Sequence, residues 1–190
     1  MDTLDKSIEA IKHSKALGTV DYTRDNIKQT IRISSARKQQ ALNQQIPLYS
    51  NWVYGKKYHY NTKIRHYFEA IKKENPNTRF IIFTTPISAD LFKILVQKGN
   101  LPDYKRWITM LVDVFGEVYD FMGINSITED PMIYADLHHF YPPTGTLIAD
   151  RVTKVPNSTL PKDFGILVNK KNLKRYLNNM EQQAKKIIEP

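Results

Sequence analysis

Apolar residues near the N-terminus follow a helical pattern. Leu4, Ile8 and Ile11 are three or four positions apart, so their side chains share one face of a helix. Together with the polar helical pattern that follows, they predict that residues 1–45 form a helical N-terminal segment.

A second helical pattern, richer in polar residues, runs from Ile27 and Ile31 to about Asn43. Its apolar stripe is narrow, so this helix is predicted to face mostly solvent or to cover something outside the chain. Pro47 is predicted to end it, because proline pushes the preceding residue out of the helical region. The remainder, residues 46–190, is predicted to form part of an α/β domain.

Helical and extended patterns alternate beyond this point. In chain order they predict a helix from about Asn61 to Asn75, a strand at 79–84, helices ending near Gly99 and at Gly116, a strand at 118–121 and an amphipathic C-terminal helix. The strand at 79–84 is a continuous β-branched and aromatic run, typical of a strand buried on both faces. This order predicts an α/β fold, a parallel sheet with flanking helices. With only two strands the sheet is expected to be incomplete or reduced, or to be completed by a partner chain.

The composition excludes several classes of protein. The 190 residues include no cysteine, which rules out disulfides, a thiolate nucleophile and cysteine-ligated metal sites. No apolar run approaches the roughly 18 to 20 residues needed to span a bilayer, so a soluble chain without a membrane span is predicted.

The formal net charge of +9 first suggests a nucleic-acid or anionic partner. The excess is unevenly placed, because residues 81–153 contain nine acidic and five basic side chains. The sequence contains no zinc finger, no RNP-like aromatic block and no helix-turn-helix motif. Nucleic-acid binding through the basic flanks is therefore the third hypothesis, and the sequence argues against it.

Candidate chemistry lies just beyond the second predicted strand, where open parallel sheets bind their ligands. Asp136 and His139 are three residues apart, so the carboxylate could accept from one imidazole nitrogen and leave the other as a base. A turn-stabilising hydrogen bond is the alternative interpretation. His138 adds a third potential metal ligand, but adjacent side chains usually point apart, so no metal and no cofactor are predicted.

The stretch from Tyr134 to Pro142, with an acid, a histidine three residues later, an aromatic residue and a proline, resembles the last conserved block of SGNH hydrolases, the GDSL esterase and lipase superfamily. Further similar segments are Asn51-Trp52, Asn75-Pro76 with the run into Thr84–Ser88, and Asp163–Val168 followed by Asn172-Leu173 and Tyr176-Leu177. The resemblance covers roughly residues 50–180. It is to the C-terminal half of a bacterial subgroup that is typically longer than this chain.

This resemblance implies a flavodoxin-like three-layer fold and a serine esterase or O-acetyl hydrolase, acting for instance on an acetylated surface glycan. It implies His139 as general base and Asp136 as its orienting partner. The family's Gly-Asp-Ser block, which supplies the nucleophile, is not present in this sequence. The chain is therefore expected to be a C-terminal portion with at most trace activity alone, and the relatives imply an extracytoplasmic or membrane-attached location.

Four further residues are candidates for the oxyanion or substrate side of such a site. Asn51 is the single candidate for an oxyanion-side donor, and Ser88 lies near the expected end of the sheet, where it more readily caps the next helix. Tyr134 and Tyr141 suit sugar stacking or packing beneath a helix that starts near Pro143. A non-catalytic glycan-binding or protein-binding remnant is the alternative hypothesis.

Overall fold

The computed structural model describes residues 32–188, the strands Val20–Tyr22 and Lys28–Thr30, and Leu4, Asp5 and Ile8. The elements in chain order are β1 (Val20–Tyr22), β2 (Lys28–Thr30), α1 (Ser35–Leu48), a π-helical stretch (Tyr49–Lys56), α2 (Ile64–Glu74), α3 (Ala89–Gln97), α4 (Leu101–Phe115), β3 (Glu117–Asp120), a 3-10 turn (Pro131–Ile133), α5 (Pro142–Thr153), β4 (Ile166–Asn169) and α6 (Leu173–Ile188). The protein is thus mostly helical. Within the described ranges, no helix has the length and apolar character that crossing a membrane requires.

The predicted parallel sheet with flanking helices, and with it the flavodoxin-like three-layer fold, is wrong. Both sheets in the described part of the chain have two antiparallel strands, β1 with β2 and β3 with β4. The predicted strand at 79–84 forms a single parallel bridge, from Phe83 to Tyr119. Two backbone hydrogen bonds make it, from Thr84 N–H to Tyr119 O (3.0 Å) and from Tyr119 N–H to Ile82 O (2.9 Å).

The reason lies in the two faces of the 79–84 segment. Side chains in an extended chain alternate between faces. Thr84 is buried and Ile82 is half-buried, whereas Ile81 and Phe83 on the other face are each 44% exposed. A continuous apolar run forms a buried central strand only if other elements cover both of its faces. Here the face with Ile81 and Phe83 is not covered.

The main core lies between α3, α4, α6 and the β3–β4 pair. Its fully buried side chains are Leu91 and Phe92 of α3, Ile108 and Val112 of α4, Val118 of β3, Val168 of β4 and Leu137. Each buried aliphatic or aromatic side chain of this size contributes about 1.5–3 kcal/mol. A smaller cluster forms where Phe121 meets Phe164 at a ring distance of 4.7 Å, next to Ile148 of α5.

Most of the predicted helices are confirmed. α2 ends before Asn75, α4 ends at Gly116, which has a φ of +92°, and α6 is the amphipathic C-terminal helix. The strand predicted at 118–121 corresponds to β3.

The predictions for the N-terminal segment are confirmed only in part. Leu4 and Ile8 are helical, but Ile11, Ile27 and Ile31 lie outside the described residues, and β2 occupies part of the stretch predicted as helix. α1 continues through Pro47 into the π-helical stretch, so the predicted end at this proline is wrong. Pro47 has no N–H donor, but helical hydrogen bonding resumes after it. Tyr49 N–H donates to the carbonyls of Gln45 and Ile46.

A buried carboxylate joins several of these elements. Asp120, at the end of β3, is 2% exposed and accepts hydrogen bonds from the hydroxyls of Thr84 (2.7 Å), Tyr104 (2.7 Å) and Tyr176 (2.8 Å) and from Met122 N–H (2.9 Å). Burial raises the pKa of Asp120, and the hydrogen bonds from these donors oppose that rise. The 79–84 segment, α4 and α6 are thereby fastened to β3.

Candidate functional site

The candidate site is a tight loop between the 3-10 turn and α5. Tyr134 pairs with Phe140 as an antiparallel bridge, and Ala135 N–H donates to His139 O at 2.8 Å, so residues 135–139 form the tip. Leu137 anchors the loop: its side chain is 1% exposed, and its carbonyl accepts from Ser88 N–H at 2.9 Å.

Asp136 organises the tip through both carboxylate oxygens. Oδ1 accepts from the backbone N–H groups of His138 (2.9 Å) and His139 (2.8 Å), and Oδ2 lies 2.6 Å from His139 Nδ1. Burial by itself raises the pKa of Asp136, but the hydrogen bonds from His139, His138 and Gln45 outweigh it and lower the pKa to about 2. The carboxylate is therefore ionised at neutral pH.

The ionised carboxylate fixes the state of the His139 ring. Because Asp136 is only an acceptor, Nδ1 of His139 must carry the proton, and Nε2 of the neutral ring keeps its lone pair. The His139 side chain is 65% exposed, whereas that of Asp136 is 17% exposed. The arrangement is a half-buried anion that orients an exposed base.

His138 occupies a different environment beside this pair. Its ring centroid lies 3.8 Å from that of His139, and its Nδ1 lies 2.9 Å from the hydroxyl of Tyr49. Burial lowers the pKa of His138, with Asp136 acting in the opposite direction. Burial and then Asp136 raise the pKa of Tyr49, so Tyr49 keeps its proton and its hydroxyl hydrogen-bonds to His138 Nδ1.

One face of α1 covers the loop. The face consists of Lys38, Leu42 and Gln45 and is continued by Tyr49 at the start of the π-helical stretch, with the 4-3-4 spacing of a single helix face. Lys38 Nζ donates to Tyr134 O at 2.6 Å, and Gln45 donates to Asp136 Oδ2 (3.4 Å) and accepts from Leu137 N–H (3.2 Å). The expectation that this helix faces mostly solvent is confirmed, since it buries no side chain fully, but this face contacts the loop of the same chain. The face was missed because it is polar, although its spacing was present in the sequence.

Three potential metal ligands meet at the loop tip. Ligand atoms of Asp136, His138 and His139 all lie within 4.8 Å of one another, contrary to the expectation that the adjacent histidines point apart. A metal ion bound through the two Nδ1 atoms would have to displace the Asp136 contact of His139 and the Tyr49 contact of His138. The hydrogen bonds already satisfy both Nδ1 atoms, so the geometry fits an acid–base pair better than a metal centre.

Ser88 and Asn51 do not join the Asp136–His139 pair. Ser88 Oγ accepts from Leu91 N–H at 3.2 Å and caps α3, which confirms the capping prediction. Asn51 is exposed on the π-helical stretch. Among the described residues, no hydrogen bond links Asn51 to the loop tip.

Tyr134 and Tyr141 are packed into the protein. Tyr134 is 1% exposed, and its hydroxyl has no hydrogen-bond partner within the described part of the chain. Tyr141 is 6% exposed, and its hydroxyl accepts from Ile33 N–H at 3.3 Å. Neither ring has a free face on which a sugar could stack.

In comparisons with protein-family models, curated proteins and solved structures, nothing matches this chain. In the hydrogen bonds of the described residues, no serine or threonine hydroxyl meets either imidazole, and Tyr49 alone offers one, to His138.

Proposed function

We propose that Asp136 and His139 are the acid–base pair of a serine-type ester hydrolase acting on an ester or O-acetyl group. The observation that carries the proposal is the 2.6 Å contact between Asp136 Oδ2 and His139 Nδ1, made by an ionised carboxylate to a ring whose other side is exposed. The resemblance of residues 134–142 to the SGNH block supports the same roles.

In this function each residue has a distinct task. His139 Nε2 accepts the proton of the attacking hydroxyl, and Asp136 orients the ring and stabilises the imidazolium that forms. His139 then returns the proton to the leaving group. Asp136 is suited to its task because its own hydrogen bonds keep it ionised.

The nucleophile and the oxyanion donors come from outside the described residues in this proposal. A base without a hydroxyl to activate contributes little, because the covalent step and the stabilisation of the oxyanion are both absent. The isolated chain is therefore expected to hydrolyse activated esters only at trace level.

The protonation state of His139 provides a test that needs no nucleophile. In 15N NMR spectra near pH 8, the ring is expected to show the tautomer protonated at Nδ1, and Asp136→Asn is expected to reduce the population of that tautomer. The trace hydrolysis of p-nitrophenyl acetate is expected to fall in His139→Ala and to persist in the control His66→Ala, which changes an exposed histidine of α2.

Two results would contradict the proposal in different ways. Robust turnover by the isolated chain, abolished in His139→Ala, would show that the chain already contains its nucleophile. An Nε2-protonated tautomer that is unchanged by Asp136→Asn would show that Asp136 does not orient the ring, and it would remove the basis for a catalytic pair.

A non-catalytic binding protein is the second candidate. The specific observation in its favour is that no serine or threonine hydroxyl among the described residues contacts either imidazole. Binding of a glycan or protein partner without hydrolysis, even when an upstream segment of a longer gene product is present, would favour it.

A further inference from the structure

A row of aromatic rings connects the loop tip with a second concave surface. The centroid distances are 3.8 Å from His139 to His138, 5.7 Å from His138 to Tyr49, 6.0 Å from Tyr49 to Tyr54 and 6.4 Å from Tyr54 to Tyr58. We call these five side chains the aromatic row. All of its members are half-buried or exposed, so the row follows the surface of the protein.

The row ends in a groove of about 310 Å³ between the π-helical stretch, the start of α2 and α4. We call it the aromatic groove, defined by Tyr54, Tyr58, Tyr60 and Trp107 together with the polar side chains of Asp103 and Asn61. Its volume lies at the lower end of the range for small-molecule sites, about 300–1,000 Å³. The lining combines large aromatic faces with a few hydrogen-bonding groups.

The rings of the groove are held in place by neighbours. Asn100, only 8% exposed, donates from Nδ2 to Tyr54 O at 2.7 Å and fixes the start of the groove. Trp107 packs against Tyr104 at a centroid distance of 5.9 Å, and the Arg106 guanidinium lies 4.5 Å from the Tyr60 ring centroid. Rings fixed before binding lose little conformational entropy when a ligand arrives.

Asp103 places a carboxylate among these rings. It is half-buried beside Tyr58, whose pKa is raised by burial and then by the Asp103 charge. Tyr58 therefore stays protonated. A ligand in the groove would meet an acceptor at Asp103, an amide at Asn61 and the aromatic rings of the lining.

We propose that the aromatic groove binds a glycan chain and that the aromatic row leads this chain to His139. A sugar ring has an apolar C–H face and a rim of hydroxyl groups, which are suited to an aromatic face and to carboxylate or amide partners respectively. The linear extent of the row, which continues well beyond the groove, suits a polymer rather than a compact ligand. The path to His139 rests on the proposed function, whereas binding in the groove does not.

Two other kinds of ligand fit the groove less well. A quaternary ammonium would suit the aromatic rings and Asp103, but its positive charge would enter a basic neighbourhood, since residues 56–80 contain seven basic and two acidic side chains. An apolar helix from a protein partner would leave Asp103 and the tyrosine hydroxyls buried without partners, which is unfavourable.

The two tryptophans of the chain allow a direct test. Trp52 is 49% exposed outside the groove, so Trp52→Phe leaves Trp107 as the single tryptophan, which can be excited selectively over the tyrosines. The Trp52→Phe protein is titrated with cellohexaose, chitohexaose and hexagalacturonate. We expect the emission of Trp107 to change saturably with at least one of them, and Tyr58→Ala in the same background to weaken that binding roughly tenfold or more.

Matched variants separate the groove from the fold and from the catalytic pair. Tyr67→Ala removes a tyrosine that is 52% exposed on α2 and is expected to leave binding unchanged. Asp103→Asn is the second groove variant, used if thermal melting shows that Tyr58→Ala is unfolded, and it is also expected to weaken binding. Failure of the groove and failure of the catalytic pair are distinguishable, because the emission of Trp107 reports on the groove and the tautomer of the His139 ring reports on the pair.

Several outcomes would overturn the proposal. The emission of Trp107 could stay unchanged with all three hexasaccharides, or it could respond to choline and not to the sugars. Sugar binding that neither Tyr58→Ala nor Asp103→Asn weakens would also contradict the proposal. Saturable binding that depends on Tyr58 or Asp103 and not on Tyr67 would support it.

Discussion

Asp136 holds the loop tip together by accepting two backbone N–H groups and two side-chain donors. The Asp-x-x-His spacing predicted its contact with His139, because a carboxylate in a turn reaches N–H groups two and three residues ahead. The spacing could not reveal Gln45 of α1, which contacts Asp136, or Tyr49 of the π-helical stretch, which contacts His138, because both are some 90 residues away in the chain. Local contacts of the site were thus predictable from sequence, and long-range contacts were not.

Replacing this carboxylate is expected to destabilise the protein in a pH-dependent way. The pKa of Asp136 is about 2 in the folded protein against its usual 3.8, so the charge stabilises the fold above about pH 4, and this contribution disappears as the pH falls toward 2. Asp136→Asn is expected to lower the free energy of unfolding by about 1–2 kcal/mol at pH 7. Urea unfolding at pH 7 and pH 3 measures the difference, which is expected to shrink at pH 3.

Asp90→Asn provides a matched control for this change. Asp90 pairs with Lys93 at 3.2 Å on the exposed side of α3, and such surface pairs contribute about 0–1 kcal/mol. Equal losses in the two variants, or a loss in Asp136→Asn that is the same at both pH values, would mean that the Asp136 charge does not stabilise the folded loop.

At the scale of elements, apolar periodicity predicted the helices that face the core. α3 and α4 each bury six side chains, and the sequence predicted that α3 ends near Gly99 and α4 at Gly116. α1 buries none of its side chains fully, so its pattern carried little apolar signal. The 79–84 run had the composition of a central strand, but strand pairing depends on what lies beside it, which no local pattern contains.

The N-cap of α3 is expected to contribute measurably to stability. Ser88 is 8% exposed and its Oγ accepts from Leu91 N–H, while its own N–H bonds to Leu137 in the site loop. Ser88→Ala keeps the backbone bond and removes the cap, so we expect a loss of about 1 kcal/mol in thermal or urea unfolding. Ser34→Ala, which removes the exposed and longer cap of α1 (3.4 Å), is expected to have a smaller effect. A larger loss of stability from Ser34→Ala than from Ser88→Ala would show that burial of an N-cap does not determine its contribution to stability.

At the scale of the whole molecule, the parallel sheet predicted from element order is replaced by hydrogen bonds and helix packing around β3. Alternating elements indicate a parallel sheet when successive strands pair. Here β3 pairs with β4 in the antiparallel sense, and the 79–84 segment reaches β3 at one bridge. Asp120 then joins that segment, α4 and α6. The sequence did not predict this role, because the four residues around Asp120 are apolar.

This role of Asp120 predicts that a distant tyrosine stabilises the whole fold. Tyr176 of α6 donates to Asp120 at 2.8 Å, and burial followed by the Asp120 charge raises its pKa well above the usual value, so it remains a donor. Tyr176→Phe removes one hydrogen bond to a buried charge and is expected to cost about 1.5–3 kcal/mol in urea unfolding. Tyr67→Phe, which changes an exposed hydroxyl, is expected to stay within about 0.5 kcal/mol of the parent. If Tyr176→Phe proved equally neutral, the other donors to Asp120 would suffice, and the remaining contacts of α6, among them apolar packing and the Lys105–Glu181 ion pair, would hold it against the core.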